Sequence, residues 1–436
     1  MRNNGDIRRI TVRRITAVTA VFLALLMSAC AGGADTVSEA PTGPAETTRT
    51  IIMTPDESDD VKIPDVTDGE TVQSAAVTET EPLPEIDPVR LSFVGMGDNI
   101  IYGCTFRQAE TSGGKYDFLP IYKNVSSVIK NADIAFINQE TPMCGEKYGY
   151  HTYPQFNSPQ QVGRDLVTLG FDVVTFANNH MADMGYNSKR CVADMMDFTD
   201  TLDTFVIGLY RDEADFNNIR VYEKDGVKIA FLAYTYGTNL YKQQTEPSKL
   251  EGVYLPVYDE EKITRQVTEA KELADFVFVS IHWGVENTHN VSEEQTHYAE
   301  LMADLGVDVI LGHHPHVIQK IEWLEGENGH KTLCYYSLGN GLNAQDLLKN
   351  MIGITASFDI VVDNDGKRIE NASCIPTFNV MKPRYKSLSL ILLKDLTDDI
   401  ASSHHCNSTD QKVTVQKAYD IVKNNIDAEF LPDYLK

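Results

Sequence analysis

A short apolar run that ends in a polar cluster recurs along this sequence and limits the folds that the chain can adopt. Five such runs cover residues 91–98, 134–140, 171–177, 276–281 and 307–311. Apolar runs of this length, bounded by Gly, Asn and Asp, indicate buried β-strands. The chain is therefore predicted to build its core on buried strands.

Helical patterns separate these strands. They cover residues 160–169, 187–202, 260–273 and 293–305. Strands that alternate with helices predict α/β layers, whose ligand-binding groups gather beyond the carboxyl ends of the strands. Later apolar runs at 332–338, 354–362 and 389–393 have fewer helices between them, which indicates a second sheet packed on the first. An amphipathic helix over residues 413–426 is predicted to cap the domain.

Polar side chains that can bind metal follow the predicted strands. They are Asp98, Glu140, Asn179 with His180, His282, and His314 with His316. Carboxylate, amide and imidazole groups are the ligand set expected for a pair of divalent transition metals, with a carboxylate as the bridge. A single Asp at a strand end is more often a helix N-cap. Several polar groups buried together would each cost about 1–3 kcal/mol if unpaired, so their recurrence favours a shared site.

The N-terminus has the layout of a secretory signal peptide. Five arginines lie between Arg2 and Arg14, an apolar run covers residues 15–29, and Cys30 follows. A membrane-spanning anchor is the alternative, but the run is shorter than the ~20 apolar residues that a spanning helix needs. Residues 26–30 resemble a bacterial lipobox. Residues 1–29 are therefore predicted to be a lipoprotein signal peptide, with a lipidated Cys30 that anchors the protein to the extracytoplasmic face of the cell membrane.

An acidic segment follows the predicted lipidation site. Residues 31–88 contain 14 acidic and 2 basic residues and no aromatic residue. Such a segment cannot bury enough apolar surface to offset the entropy of ordering, so residues 30–88 are predicted to be a disordered Thr/Pro-rich tether. The whole chain has a formal net charge of −25. Because nucleic-acid binding needs a basic footprint, the charge excludes a nucleic-acid partner.

The motifs of the folded part resemble an ordered set found in one family. They lie at residues 97–98, 138–140, 178–185, 282–286, 312–316 and 336–340. This set is similar to that of the CapA family of poly-γ-glutamate capsule-synthesis proteins, which in turn resembles the calcineurin-like metallophosphoesterases. The resemblance implies a two-sheet αββα sandwich of the α/β class over residues 89–436, with a C-terminal helix and a bimetal centre at the strand ends.

The resemblance also implies a role for each polar side chain. Six residues are implied as ligands of two divalent metal ions, with Mn, Fe or Zn as candidates: Asp98, Glu140, Asn179, His282, His314 and His316. Asp98 and His316 would bind the first ion, Glu140 would bridge both ions, and the other three would bind the second. The first motif departs from the wider superfamily, because Ile100 stands where many phosphoesterases have a histidine ligand.

Two further residues are implied to act beside the metals. His180 would serve as a general acid or as a donor to developing negative charge, and Asp183 could orient its ring. A plain helix-dipole role is the alternative for Asp183, since it lies at a predicted helix start.

Two functions are consistent with these features. The first is an extracytoplasmic, metal-dependent hydrolase or transferase that acts on an anionic extracellular polymer or its precursor in capsule or poly-γ-glutamate synthesis, release or anchoring. The second is a non-catalytic polymer-binding or assembly lipoprotein of a membrane synthase complex. In both cases the partners are the membrane, through the lipid anchor, and the polymer.

Overall fold

A computed structural model of the chain describes residues 87–186, 188–240, 250–409 and 411–436. The predicted signal peptide, Cys30 and nearly all of the predicted tether lie outside the described residues, so those predictions stay predictions. In the described ranges, no helix is both long enough and apolar enough to cross a membrane.

The described residues form 14 strands. They are β1 Val89–Asn99, β2 Ile134–Gln139, β3 Val173–Thr175, β4 Phe205–Ile207, β5 Val221–Lys224, β6 Val227–Thr235, β7 Phe276–His282, β8 Val309–His313, β9 Ile321–Glu325, β10 Lys331–Tyr335, β11 Asn340–Leu342, β12 Ile352–Asp363, β13 Gly366–Met381 and β14 Leu388–Leu392.

The α-helices of the same ranges are mostly short. They are α1 Gly103–Ala109, α2 Leu119–Tyr122, α3 Ser126–Lys130, α4 Gln161–Leu169, α5 Cys191–Thr199, α6 Glu213–Asn217, α7 Glu260–Leu273, α8 Glu293–Leu305, α9 Asp398–Ser402 and α10 Val415–Asn425. The bounds of α7 and α8 agree with the sequence prediction, because local signals fix both helices. The Asp259 side chain caps α7, and a capping box at Ser292 begins α8.

The strands form two sheets. The first has the order β14-β13-β12-β1-β2-β3-β4, with β11 beside β1, and the second has the order β5-β6-β7-β8-β10-β9. Strands β1 to β4 are parallel to one another, as are β6, β7, β8 and β10. The parallel arrangement brings the carboxyl ends of the central strands of each sheet to one edge.

The two sheets pack face to face around an aromatic core. The ring centroid of Phe93 on β1 lies 5.6 Å from that of Phe278 on β7, and Phe136 on β2 lies 6.4 Å from Phe231 on β6. Neighbouring residues on the strands point the other way and pack against helices, as the alternation of a strand requires. Helices α2, α4 and α5 cover the first sheet, while α7 and α8 cover the second. The predicted αββα sandwich is therefore confirmed.

The origin of the second sheet differs from the prediction. Of the three late apolar runs, only 332–338 contributes to it, through β10, whereas β12 and β14 extend the first sheet in antiparallel order. Most of the second sheet comes from the middle of the chain. The prediction was wrong because an apolar run shows that a strand exists, while its pairing partner depends on contacts far away in sequence.

Candidate metal centre

Two carboxylates stand at the carboxyl ends of neighbouring strands in the first sheet. Asp98 is the penultimate residue of β1, and Glu140 directly follows β2. Both side chains are buried. The Asp98 Oδ1 atom accepts a hydrogen bond from Nδ2 of Asn138 at 2.8 Å, and Asn138 is its register partner on β2. The parallel register of the two strands therefore fixes one carboxylate beside the other.

The second sheet supplies imidazoles to the same place. His282 is the last residue of β7, and His313 is the last residue of β8. His314 and His316 follow β8 with φ angles of 97° and 56°, which lie in the left-handed region that favours glycine. Non-glycine residues held there are a form of backbone strain that clusters at functional sites. The backbone N–H of His314 donates to Asp98 Oδ2 at 3.2 Å, which joins the two sheets.

Several ligand atoms in this cluster are buried without a hydrogen-bond partner among the described residues. They are both carboxylate oxygens of Glu140, Nδ1 of His282 and Nδ1 of His314. A buried polar atom left unpaired costs about 1–3 kcal/mol. A carboxylate and two imidazoles with free lone pairs are donors of the kind that divalent transition metals bind. The residues present therefore fit the metal centre that the sequence predicts.

Two groups of side chains place one ligand atom each within 4.8 Å of the others. One group contains Asp98, Glu140 and His282, and the other contains Glu286, His314 and His316. The two groups are neighbours, because Nε2 of His316 lies 3.6 Å from Oε1 of Glu140. These two groups differ from the division of ligands that the resemblance implies. His316 is grouped with His314 and not with Asp98, and His282 is grouped with Asp98 and not with His314.

The electrostatics of the cluster depend on burial and on mutual proximity. Burial raises the pKa of Glu140 well above its ordinary value, and burial together with neighbouring His314 lowers the pKa of His282. Burial would also lower the pKa of His316, but the Glu140 and Asp98 carboxylates outweigh it and raise that pKa to about 9. A buried carboxylate that resists ionisation needs a nearby cation to stay charged, and a divalent ion would be such a cation.

Asn179 and His180 lie at the rim of the same cluster. Oδ1 of Asn179 lies 3.0 Å from Nε2 of His282. Nδ1 of His180 lies 2.7 Å from Oδ2 of Asp183, and the same carboxylate oxygen accepts a hydrogen bond from the backbone N–H of Phe156 at 2.8 Å. Asp183 is buried, so its contact with His180 is shielded from water. This contact fixes the ring of His180 and directs the Nδ1 proton toward the carboxylate.

The cluster includes one residue and one loop that were not predicted as part of it. Glu286 lies in the motif at residues 282–286 but was not among the predicted ligands; it is exposed, yet its carboxylate joins His314 and His316. The loop after β6 supplies Tyr236, whose ring centroid lies 4.8 Å from that of His314, and Asn239, whose Nδ2 lies 3.2 Å from Nδ1 of His180. The signal was present, because β6 is another buried apolar run that ends in a polar cluster.

Asn340 also lies at the cluster, although only its motif, and no role, was predicted. Its register partner is Asp98, and its Oδ1 lies 3.1 Å from Nδ1 of His316. Nδ1 of His316 is 3.2 Å from Asp98 as well. When neighbouring side chains hydrogen-bond to one ring nitrogen of a histidine, they orient the ring so that the other nitrogen can bind a metal. For His316 the free nitrogen is Nε2, which faces Glu140.

The departure from the superfamily pattern at the first motif has a structural counterpart. Ile100 is buried and offers no ligand atom. Beside it, Nδ2 of Asn99 donates to Oε1 of Gln139 at 2.6 Å, and the Tyr122 hydroxyl donates to Oδ1 of Asn99 at 2.6 Å. Asn99, Gln139 and Tyr122 therefore satisfy one another's hydrogen-bonding groups next to the cluster.

The fold is thus a two-sheet αββα sandwich with carboxylate, amide and imidazole groups converging at its strand ends. The family model described as bacterial capsule synthesis protein PGA_cap matches residues 90–345, more than half of the sequence. The chain belongs to this family.

Known proteins similar to the chain agree with this membership. A capsule biosynthesis protein CapA from Bacillus anthracis is 27% identical over 269 residues, covering 59% of this chain and 61% of the relative. A PGA biosynthesis protein CapA from Bacillus subtilis (strain 168) is 29% identical over 231 residues, covering 50% of this chain and 56% of the relative. The chain thus spans about three fifths of the length of these relatives.

Among solved structures, a phosphatase from Mycoplasma pneumoniae is similar with 14% identity and a TM-score of 0.42, covering 66% of this chain and 93% of the other. A similarity of this size carries no conclusion about activity.

Proposed function

We propose that the chain is an extracytoplasmic lipoprotein that acts in capsule or poly-γ-glutamate synthesis, release or anchoring as a metal-dependent hydrolase or transferase. The observation that carries the proposal is the buried carboxylate of Glu140 at the end of the first sheet, whose oxygens lack a hydrogen-bond partner and lie near imidazoles from the second sheet. Membership of the capsule-synthesis family and the names of the relatives support the choice of process. The proposed substrate is an anionic extracellular polymer or its precursor.

The ligand atoms support two divalent ions, with Mn, Fe or Zn as candidates. Glu140 would bridge the ions, with Asp98, Asn179 and the histidines around it. When bound, such ions supply Lewis-acid polarisation and activation of water. The protein holds the donors in place before binding, because the strand register sets Asp98 and the left-handed backbone after β8 sets His314 and His316.

His180 is the proposed proton donor. Its Nδ1 is engaged by Asp183, which leaves Nε2 as the ring nitrogen that can donate to a leaving group or to developing negative charge. Asp183 acts through His180 as a positioning residue, since its carboxylate contacts the ring and a backbone N–H. This arrangement supports the orienting role over a plain helix-dipole role.

Membrane anchoring through Cys30 is part of the proposal and rests on the sequence alone. The arginine-rich start, the apolar run and the small residues before Cys30 support lipidation. Acyl chains on this residue would hold the protein at the outer face of the membrane, next to a growing polymer.

One observation favours a non-catalytic polymer-binding or assembly role as the second candidate. Ile100 replaces an imidazole ligand, and the Asp98 carboxylate is already engaged by Asn138, His314 and His316. A first ion would therefore find fewer free donors than in a complete bimetal centre. A membrane synthase complex would be the partner of such a protein.

The test combines metal analysis with turnover. The full chain is purified, its metal content is measured by mass spectrometry, and it is screened on phosphoester and γ-glutamyl substrates with and without a chelator. The proposal expects bound divalent metal and turnover that the chelator abolishes. A metal-replete protein that turns over no substrate would favour the assembly role, and a protein without metal would contradict both the site and the reaction.

A further inference from the structure

A cavity of about 480 Å³ opens beside the candidate metal centre. Glu286 lines this cavity, and its carboxylate also belongs to the group with His314 and His316. Tyr102, which follows β1, lines it too, and the ring of Tyr102 lies 5.4 Å from that of Phe156. The Phe156 ring in turn lies 4.9 Å from the imidazole of His180. The cavity therefore adjoins the ligand cluster through Glu286, while the Phe156 ring lies between its Tyr102 wall and the proposed proton donor.

The rim of the cavity is unusually apolar for an exposed surface. Six large hydrophobic side chains are exposed in the described part of the chain: Tyr153, Leu273, Val285, Leu347, Tyr385 and Tyr434. Tyr153 and Tyr385 line the cavity, while Val285 and Leu347 are the chain neighbours of lining residues. The two exposed tyrosines that line the cavity offer apolar rings to a ligand there.

The rim is also held in a fixed conformation. Tyr385 has a φ angle of 54°, in the left-handed region. Its hydroxyl donates to Oδ1 of Asp346 at 2.7 Å, and its ring lies 4.2 Å from that of His405. The hydrogen bond and the ring contact together hold the Tyr385 side chain at the edge of the cavity.

Among the described residues that line the cavity, only Arg107 carries a cationic side chain. Five other arginines form ion pairs with carboxylates: Arg90, Arg190, Arg211, Arg220 and Arg368. Arg164, Arg265 and Arg384 form none among the described residues, but none of these three lines the cavity. No ion pair joins Arg107 to a carboxylate of the described ranges. In a chain with a net charge of −25, a guanidinium left without a carboxylate beside a cavity is available to an external anion.

Gly103 allows the guanidinium to lie against the cavity wall. A Cβ atom at Gly103 would lie 3.1 Å from Nη1 of Arg107 and 3.3 Å from Cβ of Thr152. The backbone N–H of Gly103 donates to the Thr152 hydroxyl at 2.9 Å, which closes the wall there. A side chain at this position would therefore press on the guanidinium and on Thr152.

We propose that this cavity is the subsite that binds a carboxylate of the substrate next to the reacting group, with Arg107 as the residue that recognises it. The inference rests on the proposed function, because it places the subsite beside the reaction centre. A planar guanidinium matches a carboxylate through two parallel hydrogen bonds, while Tyr153 and Tyr385 cover the aliphatic part of the substrate. A guanidinium binds a phosphate with the same geometry, so binding of a carboxylate probe must be compared with binding of a phosphate probe.

The test is calorimetric titration of the full chain, in chelator and in excess ZnCl₂, with a γ-linked trimer of glutamate as the probe. Arg107→Gln is expected to weaken binding about tenfold or more, as loss of a charge-assisted pair would. Arg107→Lys should recover part of the affinity, since it keeps the charge without the planar fork. Gly103→Ala should weaken binding while the charge is retained. Arg265→Gln on α7 removes the same charge far from the cavity and should bind like the wild type.

Other results would overturn the inference. They are a wild type that does not bind the trimer, equal binding of a trimer with its carboxylates amidated, and an Arg107→Gln variant that binds like Arg265→Gln. Arg107-dependent binding of glycerol 3-phosphate but not of the trimer would assign the subsite to phosphate instead. Because binding is measured without turnover, loss of affinity in Arg107→Gln would support the subsite even if the metal-dependent reaction were disproved.

Discussion

Replacement of Glu140 by Gln tests the metal centre most directly. In the wild type the Glu140 carboxylate is buried, its oxygens are unpaired, and its pKa is raised by burial. A neutral amide of the same size removes the charge that a bridge between two cations needs. We therefore expect Glu140→Gln to lose bound metal and to lose the stabilisation that metal gives to the folded state.

The size of the expected change in Tm follows from the coupling between metal binding and folding. A ligand that binds only the folded state stabilises it by about 2.7 kcal/mol at a concentration a hundredfold above its Kd. At about 2 °C per kcal/mol for a large domain, the wild type should lose about 5 °C in Tm when the metal is chelated. In chelator the two proteins should melt much closer together, because neither then holds metal. The variant should stay slightly below the wild type, since the neutral amide loses the attraction between Glu140 and the imidazole of His316, whose Nε2 lies 3.6 Å from Oε1 of Glu140.

The assay is scanning calorimetry of the full chain with excess ZnCl₂ and with EDTA, paired with metal analysis by mass spectrometry. Asp165→Asn is the matched control, because Asp165 is a buried carboxylate whose oxygens accept hydrogen bonds from Phe118 and Gln161 at 2.7 Å. It should lower Tm equally in both buffers. A Glu140→Gln variant that keeps its metal and its zinc-dependent shift in Tm would refute the assignment of Glu140.

Three other changes have distinct expected outcomes. His180→Asn should keep its metal content and lower kcat by about 10²–10⁴, the usual contribution of a positioned acid; loss of metal in this variant would show that His180 supports the site instead. Cys30→Ala should not take up a clickable fatty acid, and label equal to that of the wild type would contradict lipidation. Gly312→Ala should cost about 1–3 kcal/mol, seen as a lower Tm in EDTA, because its Cβ would lie 2.1 Å from the carbonyl oxygen of Tyr336. An unchanged Tm would mean that the strand end can shift.

Much of the candidate site could be predicted from the sequence. Asp98, Glu140, His282 and His314 were each chosen because a polar residue follows a buried run. The structure groups the first three and places His314 beside them, with its ring centroid 4.8 Å from that of His282. Parallel strands force this outcome, since their carboxyl ends share an edge. Glu286 could not be placed in the same way. It lies in an exposed segment after β7, and no periodic pattern shows which way such a segment folds.

The local elements of this protein follow from short-range signals in its sequence. The apolar runs gave β1, β2 and β7, and the capping residues before α7 and α8 set where those helices begin, because such signals act over a few residues. Tertiary structure alone decided which sheet each late strand joined and which groups meet around Glu140. It also decided that Arg107 faces a cavity shared with Glu286. These contacts join residues far apart in the chain, so their geometry depends on how whole layers pack and not on any local pattern.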